Sequence, residues 1–529
     1  MARRGTGRLL HPADRRRRPP PLLLAARSCK DLLTRRRGED RISALPDDLL
    51  LLILRRLDTR AVLGTGPLSR RWAHLPRELP ALDLRVSDIL PPPYQRLVLF
   101  QRDIYSKGTD VQYRIGAMHG ELMPNIRRYE RRAMRALTRY VKIVLEADAL
   151  QARRKLSKLK LEFFITPNTA SINQLIAKSI DVWGVNDLEA VAKPFYWQRD
   201  VHEFPSHGLC KDPRVSCLQR LKLGGCVLPP LHGFSALTML VLQDIPDSPA
   251  AAYEAVFTSC TKLQVLHLNS CRCSGDMVVV VDAPSSEIRE LVVSKCRFRS
   301  MWLRALPSLE SLASLGTRVL FESASFPCLR HWNIRRQIGI ALEGFRQFLA
   351  QYLELDLFLG CTPSITNLIV RFTGPDRWIV PSTSPSFLLP NLRKLLVAEL
   401  PSSWDVSWPR LLLETAPSLE TLHIHIAPCS EKPGDEIPWE PTMLRHHHLK
   451  EFVMAGFDAA ERQIYLVKFV MGLCTALRHV TMLKNAHAQE KGLWDWEIVT
   501  QQHSWTNEEK DSTLKQIMDS SSSTELIFG

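Results

Sequence analysis

The chain has 529 residues, 45% hydrophobic and 24% charged, with a formal net charge of +15. Its length exceeds a single ordinary core and calls for several domains or an extended array, and its apolar content excludes disorder as the default for most of it. Twelve cysteines in so long a chain do not make a disulfide scaffold.

The charge is concentrated at the front. Residues 1–37 hold 12 Lys and Arg against Asp14 and Asp31, a local balance of +10, which leaves +5 for the other 492 residues. No basic stretch interleaved with aromatics stands out beyond residue 37, so nucleic acid is not an expected partner of the folded part. Residues 1–38 read as a disordered basic extension, kept extended by Pro19–Pro21. Arg15–Arg18 with Arg35–Arg37 also fit nuclear targeting, and the Arg-rich, acid-poor character fits an organelle transit peptide. The Leu22–Ala26 patch is too short for a secretory signal core. The longest apolar run, Leu49 to Leu54, falls far short of the roughly 20 residues that cross a bilayer. No membrane partner is expected, and a reducing compartment, nucleus or cytoplasm, fits best.

Residues 40–75 have a different character. Pro46 sits where a helix can start, and Asp47 and Asp48 fall in its first turn, where negative charge suits the positive helix end. Leu49, Leu50, Ile53, Leu54 and Leu57 recur at helical spacing, and six consecutive apolar residues make the helix apolar nearly all round. Part of that surface needs a partner, either the following residues or another protein. Periodicity alone leaves both readings open, a helical cap and a docking module. Gly64-Thr65-Gly66-Pro67 then precedes Leu68-Ser69-Arg70-Arg71-Trp72. Inside a helix such residues cost about 1 kcal/mol per Gly and 3 for Pro, so a third helix either starts late, near Pro67, or is weakened.

The remainder is repetitive. The template Leu-x-x-Leu-x-Leu-x-x-(Asn, Cys or apolar) describes a short strand whose alternate side chains enter a common core. It recurs as Leu156, Leu159, Leu161; Leu218, Leu221, Leu223, Cys226; Leu237, Leu240, Leu242, Ile245; Leu263, Leu266, Leu268, Cys271; and Ile288, Leu291, Val293, Cys296. Further sets begin at Leu309, Leu329, Ile365, Leu392, Leu419, Leu449 and Leu477. Most first anchors lie in or near the 20–29 residue period of leucine-rich repeats. Prolines two residues before Leu309, Leu329, Leu392 and Leu419 stop a preceding helix and favour strand entry. Ala250–Thr258 and Glu461–Leu473 have helix-forming content between strands. The x positions, such as Gln219, Arg220, Lys222, His423 and His425, form the face open to a ligand.

Cys226, Cys271 and Cys296 occupy the repeat's turn position, and Cys260 and Cys474 fall at expected helix ends, so a structural role is assigned to them and no metal site is expected. Thr506-x-x-Glu509 is a capping box opening a helix to about Met518, followed by a last strand, Glu525–Phe528. His446-His447-His448 reads as a solvated loop. No phosphate-binding loop, dinucleotide fingerprint, metalloprotease motif, nucleophile elbow or kinase signature is present, so no enzyme activity and no cofactor are expected.

Leu45-Pro46, the helix of Leu50, Ile53, Leu54 and Leu57, and Leu68-Ser69-Arg70-Arg71-Trp72 resemble the F-box family, in particular plant F-box proteins with leucine-rich repeats. Ile180–Val185, Leu449–Phe457 and Val467–Met471 resemble segments of the same group. The resemblance implies an α/β chain with a three-helix F-box at 39–80, after the 1–38 extension. A helical connector and the start of the array would follow at 81–155, a leucine-rich-repeat solenoid at 156–485 and a C-terminal cap at 486–529. It further implies that Leu45, Pro46, Leu49, Leu50, Ile53, Leu54, Leu57, Leu68 and Trp72 dock a Skp-type adaptor, which links to cullin and RING subunits. The repeats would hold an unidentified protein substrate for ubiquitination, as a non-catalytic receptor. The other reading is an interaction scaffold without ligase docking.

Overall fold

The computed structural model describes Ile42, 45–57, Ala61, Thr65, Leu75, 78–106, 112–148, 155–166, 169–195, 200–275, 277–322, 326–337, 353–354, Leu359, 362–373, 379–380, 388–403, 405–429, 444–501, 505–517 and 524–529. The chain divides into two compact units, Met1–Arg56 and Leu57–Gly529. In the first, the described helix is α1, Asp47–Leu54. Most of 58–77 lies outside the described residues, including Leu68 and Trp72.

The second unit is mixed α/β, built on one 15-stranded sheet in which chain order and spatial order coincide. Its strands are β1 (Ala81–Arg85), β2 (Lys158–Phe164), β3 (Asp187–Lys193), β4 (Arg220–Gly224), β5 (Met239–Gln243), β6 (Val265–Asn269), β7 (Glu290–Ser294) and β8 (Ser311–Leu315). They continue as β9 (His331–Gln337), β10 (Asn367–Thr373), β11 (Lys394–Pro401), β12 (Thr421–Ala427), β13 (Glu451–Ala455) and β14 (His479–Leu483). An antiparallel hairpin, β15 (Ala486–Glu490) and β16 (Trp496–Thr500), precedes the last strand, β17 (Glu525–Phe528), which pairs with β14. Every neighbouring pair in the large sheet is parallel.

The template's second anchor explains this order. One register column runs Leu82, Leu159, Leu188, Leu221, Leu240, Leu266, Leu291, Leu312, then Trp332, Leu368, Leu395, Leu422, Phe452, Val480 and Leu526. All but Leu526 are buried. Slipping any strand by one residue would turn its anchors to the opposite face, so the register is fixed by burial. Each buried leucine contributes on the order of 2 kcal/mol relative to exposure. Two of the strands were not anticipated. Leu79, Leu82 and Leu84 fit the template, and Val185, Leu188 and Ala190 fit it with an alanine at the third anchor.

Behind this core run the connectors. The long helix α2 (Gln112–Asp148) and helix α3 (Ala170–Asp181) flank the first strands, and α4 (Glu461–Leu473) lies between β13 and β14 in the chain. The helix expected at Ala250–Thr258 forms over Ala250–Ser259. In three consecutive connectors the chain uses strands, and Val278–Asp282, Ser300–Ala305 and Val319–Phe321 form a small parallel sheet. The valine run at 278–281 explains the choice, because β-branched side chains favour a pleated surface over a helix.

The cysteines serve the core. The Cys271 thiol donates to Leu242 O at 3.5 Å and that of Cys296 to Leu268 O at 3.3 Å, each reaching an earlier strand. Burial pushes the Cys226 thiol up to about 12. Cys260 and Cys474 cap their helices, and both are buried. His446 departs from the expected solvated loop. It is 1% exposed, its Nε2 lies 3.0 Å from Ala416 O, and its Nδ1 accepts from Leu449 N at 3.2 Å. The imidazole closes the entry turn of β13, a task that local sequence does not distinguish from exposure. Of the three consecutive histidines, His447 and His448 are exposed.

At the end of the chain, Thr506 N donates to Glu509 Oε2 at 3.0 Å while Glu509 N donates to Thr506 Oγ1 at 3.2 Å. This reciprocal box opens the helix Asn507–Ile517.

Candidate functional site

Two surfaces, each within its own unit, bear on function. The first is α1. Pro46 precedes it with φ −58° and ψ 153°, a conformation proline favours, and its carbonyl accepts from Leu50 N at 3.1 Å. Asp47 and Asp48 occupy the first turn as expected. The apolar residues divide sharply. Leu50 and Leu54, one turn apart, are buried at 0% and 1% exposure. Leu49, Leu52 and Ile53 are exposed at 46%, 52% and 39%, and Ile42 before the helix at 57%. Positions 49, 52 and 53 share one helical side, so they form a row of bare aliphatic surface. Leu57, beyond the helix end, is also exposed, as is Pro46, while Leu45 is half-buried.

Of the nine expected docking residues, then, Pro46, Leu49, Ile53 and Leu57 stand open, Leu45 is half-buried, Leu50 and Leu54 are interior, and Leu68 and Trp72 lie outside the described residues. Ile42 and Leu52 are bare as well, though they are not among the nine. Leu52 carried a signal, since it sits three residues from Leu49 on the exposed side, but a run of six apolar residues hides which side turns outward.

The second surface is the face of the large sheet formed by the x positions. Over β2–β4 it is laced with ions. Asp187 meets Lys158 at 2.8 Å and Arg220 at 3.2 Å, and Glu189 meets Lys222 at 2.9 Å and Lys160 at 3.5 Å. Burial raises the Glu189 carboxyl, but its contacts with Lys222 and Lys160 outweigh that and hold it below the usual range. Acids alternate with bases across the strands, so this stretch is polar yet locally balanced.

Over β10–β14 the same face is covered. The hairpin β15–β16 lies on it, with Ala488, Trp496 and Ile498 packed against Ile369, Leu396 and Ala398. Ala486 and Ile498 meet Val453, Ala455 and Leu483. Polar contacts pin it down. Arg371, with a side chain only 6% exposed, meets Glu399 at 2.8 Å and Glu490 at 3.2 Å. The Trp496 indole donates to His423 Nδ1 at 2.9 Å, and Asn333 Nδ2 donates to Leu493 O at 2.8 Å. The hairpin tip reaches as far as β7, where hydrogen bonds from His267, chiefly, and Trp494 hold the Glu290 carboxyl below its usual range.

His423 and His425, expected to be open to a ligand, are therefore under or beside the hairpin. The physical reason is apolar patterning: Ile369, Leu396, Ala398, Val453, Ala455 and Leu483 make this half of the x face too hydrophobic to stand bare. Lys222, Gln219 and Arg220 lie in the uncovered half. Among the described residues no group of His, Cys, Asp or Glu is arranged to hold a metal ion, and no helix is long and apolar enough to cross a membrane.

Residues 42–80 match the family model for the F-box domain. An F-box protein of Arabidopsis thaliana is 35% identical over 86 residues, 15% of this chain and 21% of the relative. Two F-box/FBD/LRR-repeat proteins of the same plant are 52% identical over 56 residues and 50% identical over 52. Those segments cover 11% and 10% of this chain and 12% of each relative. A mixed α/β chain with a long parallel sheet and an F-box at its front is the class defined by fold and site together. The relatives it resembles are, more particularly, F-box proteins of a plant. The shared segments span about a fifth or less of those relatives' length.

Proposed function

We propose that this protein is a non-catalytic substrate receptor of a Skp-cullin-F-box ubiquitin ligase. F-box domains generally dock Skp-type adaptors, and the observation that carries the reading here is the bare aliphatic row of Leu49, Leu52 and Ile53 within the F-box match. A helix that leaves such a row uncovered presents the kind of surface a partner's apolar groove covers. In this reading 39–80 is a three-helix F-box behind a basic extension (1–38), with a connector at 81–155. The strand ladder over 156–485 is a leucine-rich-repeat solenoid, and 486–529 caps it.

The adaptor would recruit cullin and RING subunits. The uncovered part of the x face, β1–β6, ion-laced over β2–β4, would hold a protein substrate. The receptor's contribution is positional, raising the effective concentration of substrate lysines near the ubiquitin thioester. Nucleus or cytoplasm is the proposed location.

The test is co-purification of the intact chain with a Skp-type adaptor, comparing wild type with Ile53→Arg. The expected result is binding that falls at least tenfold in the variant while its thermal unfolding is unchanged. Failure of the wild-type chain to bind at high micromolar adaptor would leave the alternative, an interaction scaffold without ligase docking. Substrate proteomics on the two forms would then name the cargo.

A further inference from the structure

Counting charge along the chain conceals a local excess on α2. Between Met123 and Glu146 the helix buries Met123, Ile126, Ala133, Met134, Leu137, Val141, Val144 and Leu145, the spacing of one side packed on a core. Between and opposite them stand Arg127, Arg128, Arg131, Arg132, Arg135, Arg139 and Lys142, all exposed. The stretch has two acids. Glu130 is buried and accepts from the Tyr94 hydroxyl at 2.9 Å, which leaves Glu146 as the exposed one.

None of the seven cations has an ion-pair partner among the described residues. Arg135 Nε instead donates to Arg131 O at 3.2 Å, within the helix. Elsewhere the protein pairs its surface cations readily, as Lys158, Arg220, Lys222 and Lys193 show. Like charges three and four residues apart destabilise a helix, and this face contains them repeatedly, as at 127/131, 128/132, 131/135 and 135/139. None of these side chains is buried in return.

Arg128, Arg132, Arg135, Arg139 and Lys142 alternate spacings of four and three. They lie within a band about 80° wide that rises about 21 Å along the helix. Six of the seven cations are arginines, whose planar forks take carboxylate oxygens two at a time. A surface for single-stranded nucleic acid would add aromatics for stacking. Here Tyr129 and Tyr140 are half-buried against the core, and Ala136, Thr138 and Ile143 are the neutral neighbours of the row.

We propose that the outward face of α2 is a docking site for an acidic polypeptide segment, held by carboxylate contacts to Arg128, Arg132, Arg135 and Arg139. This inference does not rest on the ligase reading, since it concerns a different helix and uses no adaptor.

The test uses the full chain and a fluorescent, photo-crosslinkable twenty-residue polyglutamate peptide. One variant reverses the row (Arg128→Glu, Arg132→Glu, Arg135→Glu, Arg139→Glu). A control makes the same charge change at scattered exposed sites (Lys211→Glu, Arg214→Glu, Lys262→Glu, Lys468→Glu). Polyglutamate crosslinks are expected to map within 123–146, and affinity should fall at least tenfold in the row variant but no more than twofold in the control. If charge reversal prevents folding, the four Arg→Gln substitutions serve, with at least a threefold fall expected. Equal losses in row and control variants, or crosslinks confined to residues 1–37, would overturn the proposal. So would a duplex DNA of matched charge that binds more tightly than polyglutamate and loses that binding in the row variant.

Discussion

The indole N–H of Trp496 donates to Nδ1 of His423 at 2.9 Å, and this fixes the tautomer of the imidazole. Indole is a donor only, so Nδ1 accepts and the ring proton sits on Nε2, 3.4 Å from Glu451. That proton helps hold the Glu451 carboxyl below its usual range. Replacing Trp496 by Ala removes the donor and the large side chain that seats the hairpin. A loss of about 3 kcal/mol is expected in the C-terminal half. Hydrogen exchange should quicken at 486–490 and 496–500 while β2–β4 keep their protection; unchanged exchange in the hairpin would show that Trp496 does not anchor it.

Arg371 is the buried ionic centre of the same contact, between Glu399 and Glu490. Arg371→Met strands two carboxylates against an apolar surface, and a cost of about 3 kcal/mol is expected from urea titration. Glu490→Gln keeps a hydrogen-bonding group on a side chain 28% exposed, and should cost less than about 1.5 kcal/mol. A double-mutant cycle reading near zero coupling would contradict the pairing.

Gly456 follows β13 with φ +74°, and a Cβ there would stand 2.1 Å from Ile426 O, a backbone atom that cannot move aside. Gly225, after β4, faces Ala192 O in the same way at 2.0 Å. Each Gly→Ala change should destabilise by about 2 kcal/mol or more, read as a fall in the urea midpoint. A tolerated alanine at either position would mean that the adjoining strand can shift.

Stability should fall on mild acidification. Burial pushes the imidazoles of His202 and His425 down to about 4, with Arg371 and His487 adding repulsion at His425. His202 is 2% exposed, its Nε2 3.0 Å from Asn173 Oδ1 and its ring edge-on to Phe163 and Phe204. An unfolded histidine titrates near 6.5, so between about 6.5 and 4 the unfolded chain binds more protons than the folded one. The stabilisation is complete above that window, declines as pH falls through it and is flat below. On the order of 2 kcal/mol is expected for His202 after allowance for solvent. The difference in urea midpoint between pH 7.5 and 5.0 should shrink in His202→Gln; an unaltered difference would rule out this origin.

Leu50 and Ile53 should separate folding from docking. Leu50→Ala removes a fully buried side chain and is expected to cost about 2–4 kcal/mol. Ile53→Arg places charge on an exposed position and should leave thermal unfolding within about 0.5 kcal/mol of wild type. A large drop in stability for Ile53→Arg would show that its side chain is packed.

The strand ladder was legible because its signal is repeated: an anchor such as Leu221 or Leu240 is ambiguous alone, but regular spacing is not. Local chemistry was also readable where partners are close in sequence, as at Thr506 and Glu509. What escaped depends on distance. The hairpin contact joins Asn333 to Leu493 across 160 residues, and nothing near either residue announces the other. The α1 face was half legible, because a run of apolar residues gives the helix without saying which side is covered. The α2 cations were diluted by acids elsewhere, so net charge concealed an arrangement that only helical geometry collects.

A ladder in which each strand touches only its neighbours can come apart one rung at a time. The hairpin breaks that rule, because Glu290, Asn333, Arg371, His423 and Val453, from five different strands, all meet it. Pulled from its ends, the chain should therefore yield in two styles. The rungs before β7 should peel away in small successive steps, and those from β7 to β14 should hold to a higher force and then rip together when the hairpin lets go.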